Sequence, residues 1–429
     1  MPSADAAPGI AAPTGGWGKA RGAVMNRVGV SKAFKTLRDM AGADGYIDPA
    51  TLEPVKPLGE GAFARVESAW HSPPGGGARY MVAVKHLKPE LYSDESELTL
   101  FASEVDLMRK LSHRNIVGFV GAGEPGAGGS VGAFEFMGGG TLKRLVYDQM
   151  MAGPRAIYTD AAALSMGLQV ARGLRYLHNS MPMVRPAAAP APAPCLLPSC
   201  LYAMRVIHRD LKLENILLKA ARPKDGSWEV KIADFGLSKT VEVHHAALAA
   251  RRAEPGGPTA TAVAAAAAGA RDGLASPAGG GARRLRAPSV LPPAAEAPTS
   301  FDLTGQTGSL MYMAPEVYLQ QPYNEKVDVF SFGLILFELL QKYVMLSAVS
   351  IRGTREELEA YAARISQGYR PPIHARWPPA VTSLIEDCWA QDPAARPSMD
   401  KVVARLEEIQ ASGVLGLEAA PAGCACTIC

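Results

Sequence analysis

Apolar residues change their spacing twice along the chain. From Leu52 they come in short runs between turn residues, LEPVKPLGEGAFARVESAW and then MVAVKHL, which predicts strands. TLFASEVDLMRKL breaks that rhythm: Phe101, Val105, Met108 and Leu111 recur at the spacing of a helix's buried face, and Glu104 falls on the same face. HRNIVGFVGAG and VGAFEFMGGGTL return to strands, separated by a Gly/Pro hairpin around Gly121 to Ser130. Beyond them AAALSMGLQVARGLRYLHNS places Leu164, Leu168, Ala171, Leu174 and Leu177 at helical spacing, a buried helix of a second lobe. The stretch from Asp328 to Leu340 is apolar nearly all round, as a central helix should be.

Composition marks out what lies between these elements. Residues 1–51 open on Ala, Pro and Gly and pass into WGKARGAVMNRVGVSKAFKTLRDM, with Lys19, Arg21, Arg27, Lys32, Lys35 and Arg38 against Asp39. This reads as a flexible basic arm with one weak amphipathic helix, or as an organelle transit peptide. A domain over 52–410 is then interrupted by two Ala/Pro-rich inserts, at about 183–204 and 243–300, whose composition cannot pack a core. Cys195 and Cys200 in the first insert lack the neighbouring His or Cys that a metal site needs, and Ser289 follows a basic cluster in the second. The tail, 411–429, ends AGCACTIC, where Cys426 fits a prenylation motif with Cys424 beside it.

A net charge of +3 without a run of one sign predicts no nucleic-acid partner. Six cysteines and no apolar signal segment point to a reducing, cytoplasmic setting, with membrane attachment through a lipid on Cys426 as an addition. The most apolar stretch, Val327 to Leu340, is interrupted by Asp328, Ser331 and Glu338 and falls short of the roughly 20 residues of a membrane span.

Candidate chemistry concentrates in IHRDLKLENILL, Ile207 to Leu218. Asp210, Lys212 and Asn215 share one polar loop that feeds a strand. In such a loop an Asp can take a proton from a hydroxyl, a Lys can balance charge on a phosphate, and an Asn carbonyl can ligate a hard cation. Upstream, Gly59 and Gly61 permit a tight turn whose N–H groups can face phosphate oxygens, and Lys85 sits in mid-strand where the inward Glu104 would want a cation.

HRDLKxxN resembles the catalytic loop of the eukaryotic protein kinases, and other motifs follow in the family's order. GEGAFARV resembles the glycine loop with Ala64 at its third glycine, AVK the strand lysine, ADFG the metal-binding turn, and Ala314-Pro315-Glu316 the APE motif with Arg396 as its partner. HRNIVGFVGAG, FEFMGGGTL, KVDVFSFG and the CW…RP ending resemble the tyrosine-kinase-like group of Raf-like and mixed-lineage kinases.

The resemblance implies an α+β bilobal fold, with a small five-stranded lobe carrying one helix over a larger helical lobe and ATP in the cleft. It implies catalytic roles for Asp210, Lys212, Lys85 and Glu104, and Mg²⁺ or Mn²⁺ on Asn215 and Asp234. Nucleotide contacts fall to Leu58, Gly59, Glu60, Gly61, Ala62, Phe63, Val66, Ala83, Lys85, Glu135 and Met137, with Phe134 guarding the adenine pocket. Lys212, and Ser309 in TGSLMYMAPE, resemble the serine/threonine class, so the partners are proteins carrying Ser or Thr. Arg209 reads as a buried cation awaiting a phosphate on Thr304 or Thr307, placed there by an upstream kinase. The alternatives are a pseudokinase-like scaffold working through its inserts and tail, and a dual-specificity or tyrosine kinase.

Overall fold

The structure, a computed structural model, describes residues 45–415 apart from 62, 92–93, 127–128, 154, 180, 184–201, 222, 224–225, 244–306 and 350–353. They divide into two compact units. The first takes the described residues up to Gly140 together with Leu217–Lys224 and Trp228–Gly236.

Strands β1 (Leu52–Glu60), β2 (Ala64–His71), β3 (Tyr80–Leu87), β4 (Phe119–Gly126) and β5 (Gly129–Glu135) form an antiparallel sheet in the order β1-β2-β3-β5-β4. Alternation along the strands sends Ala69, Val82, Val84 and Val131 to one buried face. The other face receives helix α1 (Glu95–Lys110), whose Leu98, Phe101, Ala102 and Val105 close on Leu87 and Ala122. Asp94 starts α1 by accepting the amides of Ser96 and Glu97. Burying a side chain such as Phe101 or Val105 contributes about 1.5–3 kcal/mol, which an isolated 16-residue helix would lack.

The arm predicted over 1–51 is too long by its last residues. Tyr46 bridges in parallel to Ala122 on edge strand β4, the Ile47 amide donates to the Ala122 carbonyl at 2.9 Å, and Ile47 is buried. Gly121 and Gly123 make room: a Cβ on Gly121 would stand 2.6 Å from Ile47 Cγ1, and one on Gly123 would strike the Ile47 carbonyl. The hairpin expected from Gly121 is accordingly tighter, since β4 runs on to Gly126.

The second unit is mainly helical: α2 (Leu142–Met151), α3 (Asp160–His178), α4 (Pro315–Tyr318), α5 (Lys326–Gln341), α6 (Leu346–Val349), α7 (Arg355–Ser366), α8 (Pro379–Cys388) and α9 (Met399–Ala411). Helix α5 is buried from Val327 to Leu340, and α3 and α8 pack against it, so its lack of a polar face is satisfied by neighbours on all sides. The predicted Leu164, Leu168, Ala171, Leu174 and Leu177 of α3 are all buried.

Three short strands, β6 (Met181–Met183), β7 (Tyr202–Ile207) and β10 (Lys239–Val243), make a sheet in the order β10-β7-β6. This corrects the first insert at both ends: Met183 pairs with Tyr202 and Met181 with Met204, so 183 and 202–204 belong to the sheet. Val243, placed at the edge of the second insert, pairs with Ala203. Strands β8 (Ile216–Leu218) and β9 (Val230–Ile232) pair separately. One unit rich in strands with a single helix and one mainly of helices is the fold class that the resemblance implies.

Candidate active site

In the first unit the chemistry centres on Lys85. Strand β3 pairs it with Val66 on one side and Gly132 on the other, and its ammonium meets both Glu104 oxygens at 2.7 and 2.8 Å. Asp234 Oδ1 lies 3.3 Å from the same nitrogen. Lys85 is 18 % exposed and Glu104 8 %, so both charges are largely withdrawn from water. Burial opposes the lysine's charge, but Glu104 and Asp234 outweigh it and hold Lys85 above the usual lysine range. The inward Glu read from the helix pattern therefore has the cation it wanted. Asp234 itself stays 43 % exposed, with its backbone in the left-handed region at φ 62°.

Around this pair the predicted nucleotide residues fall on β1, β2, β3 and β5, with Gly61 and Phe63 between β1 and β2 and Met137 just past β5. Leu58 and Phe63 are exposed, Val66 and Ala83 half-buried, Met137 buried, and Ala62 lies outside the described residues. Gly59, Glu60 and Gly61 are exposed, and a turn closes where the Gly61 amide donates to the Ala64 carbonyl at 2.8 Å. Neither glycine has positive φ, and a Cβ on Gly59 would meet nothing within 4 Å, so the absence of a side chain leaves open space over the turn. Phe134 is half-buried, edge to face with Phe119.

Glu135 carries a role that its motif did not disclose. Its carboxylate accepts Lys219 at 2.6 Å, Lys231 at 2.7 Å and the Gly118 amide at 3.3 Å. Burial alone would raise this carboxyl; the two lysines hold it below the usual glutamate range. The residue expected among the nucleotide contacts is thus clamped by its side chain to the β8–β9 hairpin.

In the second unit Asp210, Lys212 and Asn215 come together as one buried cluster. Lys212 Nζ stands 2.7 Å from Asp210 Oδ2, and Asn215 Nδ2 donates to that oxygen at 3.0 Å and to the Asp210 carbonyl at 2.8 Å. Committing Nδ2 to Asp210 turns the Asn215 amide oxygen the other way, and an amide oxygen and a carboxylate suit a hard divalent cation. The residues present on Asn215 and Asp234 thus fit such an ion in type.

The loop's backbone is held by Asp328 at the start of α5. Its Oδ2 accepts the His208 amide at 2.8 Å and its Oδ1 the Arg209 amide at 2.9 Å, while His178 Nε2 lies 2.8 Å from Oδ2. Burial would raise Asp328, but the His178 hydrogen bond and the nearby His178 and His208 rings keep it below the usual aspartate range. Arg209 needs this support because it is left-handed at φ 66°, which costs of order 1–3 kcal/mol for a non-glycine residue. Its side chain departs from expectation: it is half-buried rather than buried, and donates to the Leu237 carbonyl and, at 3.0 Å, to the Tyr323 hydroxyl.

Below the loop, Arg396 grips Glu316 with two parallel hydrogen bonds of 2.7 and 2.8 Å, the pairing read from APE and its distant Arg. Thr307 opens the two-turn 3-10 helix Thr307–Tyr312 ahead of that motif. Thr304, Ser289, Cys195, Cys200, Cys424 and Cys426 lie outside the described residues. Among the described residues no helix is long and apolar enough to cross a membrane.

Residues 52–189 and 296–406 match the family described as protein tyrosine and serine/threonine kinase, and residues 199–254 match the protein kinase domain. The serine/threonine-protein kinase VIK of Arabidopsis thaliana is 29 % identical over 371 residues, covering 86 % of this chain and 62 % of that protein. The dual specificity protein kinase shkE of Dictyostelium discoideum is 29 % identical over 366 residues, 85 % of this chain and 37 % of its own. Human mitogen-activated protein kinase kinase kinase 7 is 27 % identical over 362 residues, 83 % of this chain and 41 % of its own. The chain therefore spans between 37 and 62 % of the length of these relatives. With the motifs, the two units and the family match in agreement, the chain belongs to the protein tyrosine and serine/threonine kinase family, whose members use ATP and a divalent metal.

Proposed function

We propose that this chain is a tyrosine-kinase-like protein serine/threonine kinase that moves the γ-phosphate of ATP to Ser or Thr hydroxyls of protein substrates. The observation that carries the reading is the ammonium of Lys212 at 2.7 Å from Asp210 Oδ2, two residues on in the same buried loop. Asp210 would orient a hydroxyl and take its proton, and Lys212 would balance the charge of the incoming phosphate. Lys85, braced by Glu104, would position the α- and β-phosphates, and the Glu135 to Met137 backbone would meet the purine.

Asn215 and Asp234 would hold Mg²⁺ or Mn²⁺, which neutralises charge developing on the phosphates when bound. No covalent enzyme intermediate is required. A phosphate at Thr304 or Thr307, added by an upstream kinase, would be drawn to the Arg209 guanidinium. Relatives named as serine/threonine kinases support the substrate class, and the dual-specificity name of one keeps tyrosine as an outcome to be measured. A scaffold without activity would be expected to lack one of these catalytic residues, and none is missing.

The test is phosphate transfer from labelled ATP with Mg²⁺ to a generic protein substrate, comparing wild type with Asp210→Ala and identifying the phosphorylated residue. Phosphoserine or phosphothreonine that disappears in the variant is expected. Transfer that persists in the variant, or none from folded, phosphorylated wild type, would overturn the reading.

A further inference from the structure

The turn between β1 and β2 has no hydrophobic core to hold it. Strand β1 is the edge of its sheet, and every residue from Glu53 to Glu60 is exposed, as are Gly61 and Phe63 beyond it. Strand β2 joins β3 only from Ala64, which pairs with Leu87. Where that pairing stops Lys88 takes over, and it grips the turn twice. Its backbone amide donates to the Phe63 carbonyl at 3.0 Å, and its ammonium lies 2.8 Å from Glu60 Oε1.

The two ties differ in kind. The amide bond carries the contact between β2 and β3 one residue further and fixes where Lys88 stands. The ion pair reaches the other arm of the hairpin, since Glu60 opposite Arg65 is the last rung between β1 and β2. The hydrogen bond and the charge of Lys88 hold the Glu60 carboxyl below the usual glutamate range, with Arg65 adding to them, so Glu60 is ionised at neutral pH. Glu60 is 67 % exposed and Lys88 26 %. Exposed pairs of this kind contribute little to the stability of a fold. Here, however, neither Leu58 nor Phe63 is buried, so a small contribution decides how often the turn swings away.

We propose that Lys88 is a positioning residue for the nucleotide, which through its pair with Glu60 holds the β1–β2 turn in place and so sets how fast the nucleotide leaves. The inference rests on the kinase reading, in which that turn faces the phosphates. Lys88 acts through Glu60 and Phe63 and is not itself a phosphate ligand. Because the pair is exposed, its hold fades as salt screens it.

The experiment measures release of the fluorescent nucleotide mant-ADP with Mg²⁺, and kcat and KM for Mg²⁺-ATP and for myelin basic protein, on the full chain at low salt and at about 0.3 M salt. Wild type is compared with Lys88→Met, which keeps the amide bond to Phe63, with Glu60→Gln, and with the charge exchange Glu60→Lys/Lys88→Glu. In each single variant mant-ADP release and KM for ATP are expected to rise by about two- to fivefold at low salt, with KM for the protein unchanged. The exchange should return to within about twofold of wild type, and at high salt Lys88→Met and wild type should converge. A Lys88→Met variant equal to wild type at low salt would overturn the proposal. So would an effect of Glu60→Gln without one of Lys88→Met, which marks Glu60 as a direct nucleotide contact, or an exchange no better than the singles, which marks Lys88 as a phosphate ligand. Should the exchange fail to fold, the two singles must still agree in size, and a difference between them overturns the proposal. Because release is read without turnover, the two readings fail separately. A chain that binds mant-ADP and transfers no phosphate overturns the kinase reading alone, and one that binds no nucleotide overturns both.

Discussion

Arg396 presents both arms of its guanidinium to the Glu316 carboxylate, although 80 residues separate the two and neither side chain is more than 5 % exposed. The ring of Phe330 lies 4.9 Å below the guanidinium, so the pair is held from a third side by α5.

Arg396→Met should therefore cost about 3–5 kcal/mol, because it leaves Glu316 as an uncompensated buried charge. The double variant Arg396→Met/Glu316→Met should recover much of that loss. Urea unfolding of the three proteins measures it, and a double variant no better than the single would contradict the account.

Lys85 and Glu104 should separate stability from activity. Lys85→Met strands Glu104 and lowers both the melting temperature and phosphate transfer, the latter by roughly a hundredfold or more. Adding Glu104→Leu should restore the melting temperature and leave transfer lost. Calorimetry beside the transfer assay checks it; recovered activity would show that Lys85 is only a structural cation.

Asp328→Asn should lower kcat with little change in KM for ATP. An amide can accept from only one of the His208 and Arg209 amides and turns an N–H toward the other, so the left-handed Arg209 loses part of its support. The loss of one such buried bond, of about 1–3 kcal/mol, corresponds to roughly a tenfold to hundredfold fall in kcat. A kcat equal to wild type would remove Asp328 from the account of the catalytic loop.

Stability should fall toward acid and also between mildly acid and mildly alkaline pH, for opposite reasons. Asp328 is lowered on folding, so its contribution is complete above about 3.8 and is lost as pH drops through its folded value. Glu338 is raised on folding from about 4.5 to about 8, so its contribution is complete below the first value and is lost as pH climbs to the second. Between them the folded chain binds the extra proton and stability declines by of order 1 kcal/mol per pH unit from this group. Denaturant midpoints at several pH values should show the decline in wild type and not in Glu338→Gln.

Much of the site was legible because single residues announced it. Glu104 on an apolar helix face demanded a cation, and Asp210, Lys212 and Asn215 stood together in one polar loop. Glu316 and Arg396 were legible through their family motifs alone. The clamp of Lys219 and Lys231 on Glu135 was not, because ordinary surface-type lysines acquire meaning only once β5 and the β8–β9 hairpin are brought together. Glu338 read as an interruption in a hydrophobic run, since its proton depends on neighbours from four other segments. Ile47 was hidden in a stretch whose composition argued for an arm, and the signal that could have found it was the glycine pair, Gly121 and Gly123, inside a predicted strand. Arg209 was misjudged because its neutral acceptors, Leu237 and Tyr323, stand 28 and 114 residues away.

The pairing of Met183 with Tyr202 has a consequence for how this chain can change. The polypeptide leaves the small sheet at Met183 and rejoins it at Tyr202, directly opposite on the neighbouring strand, so the two ends of the intervening sequence are fixed beside each other. Closing such a detour grows only logarithmically with its length, about 0.6 kcal/mol per doubling. This point of the fold is therefore a graft site, where sequence can be lengthened, trimmed or exchanged for a tag while the helices around α5 keep their places.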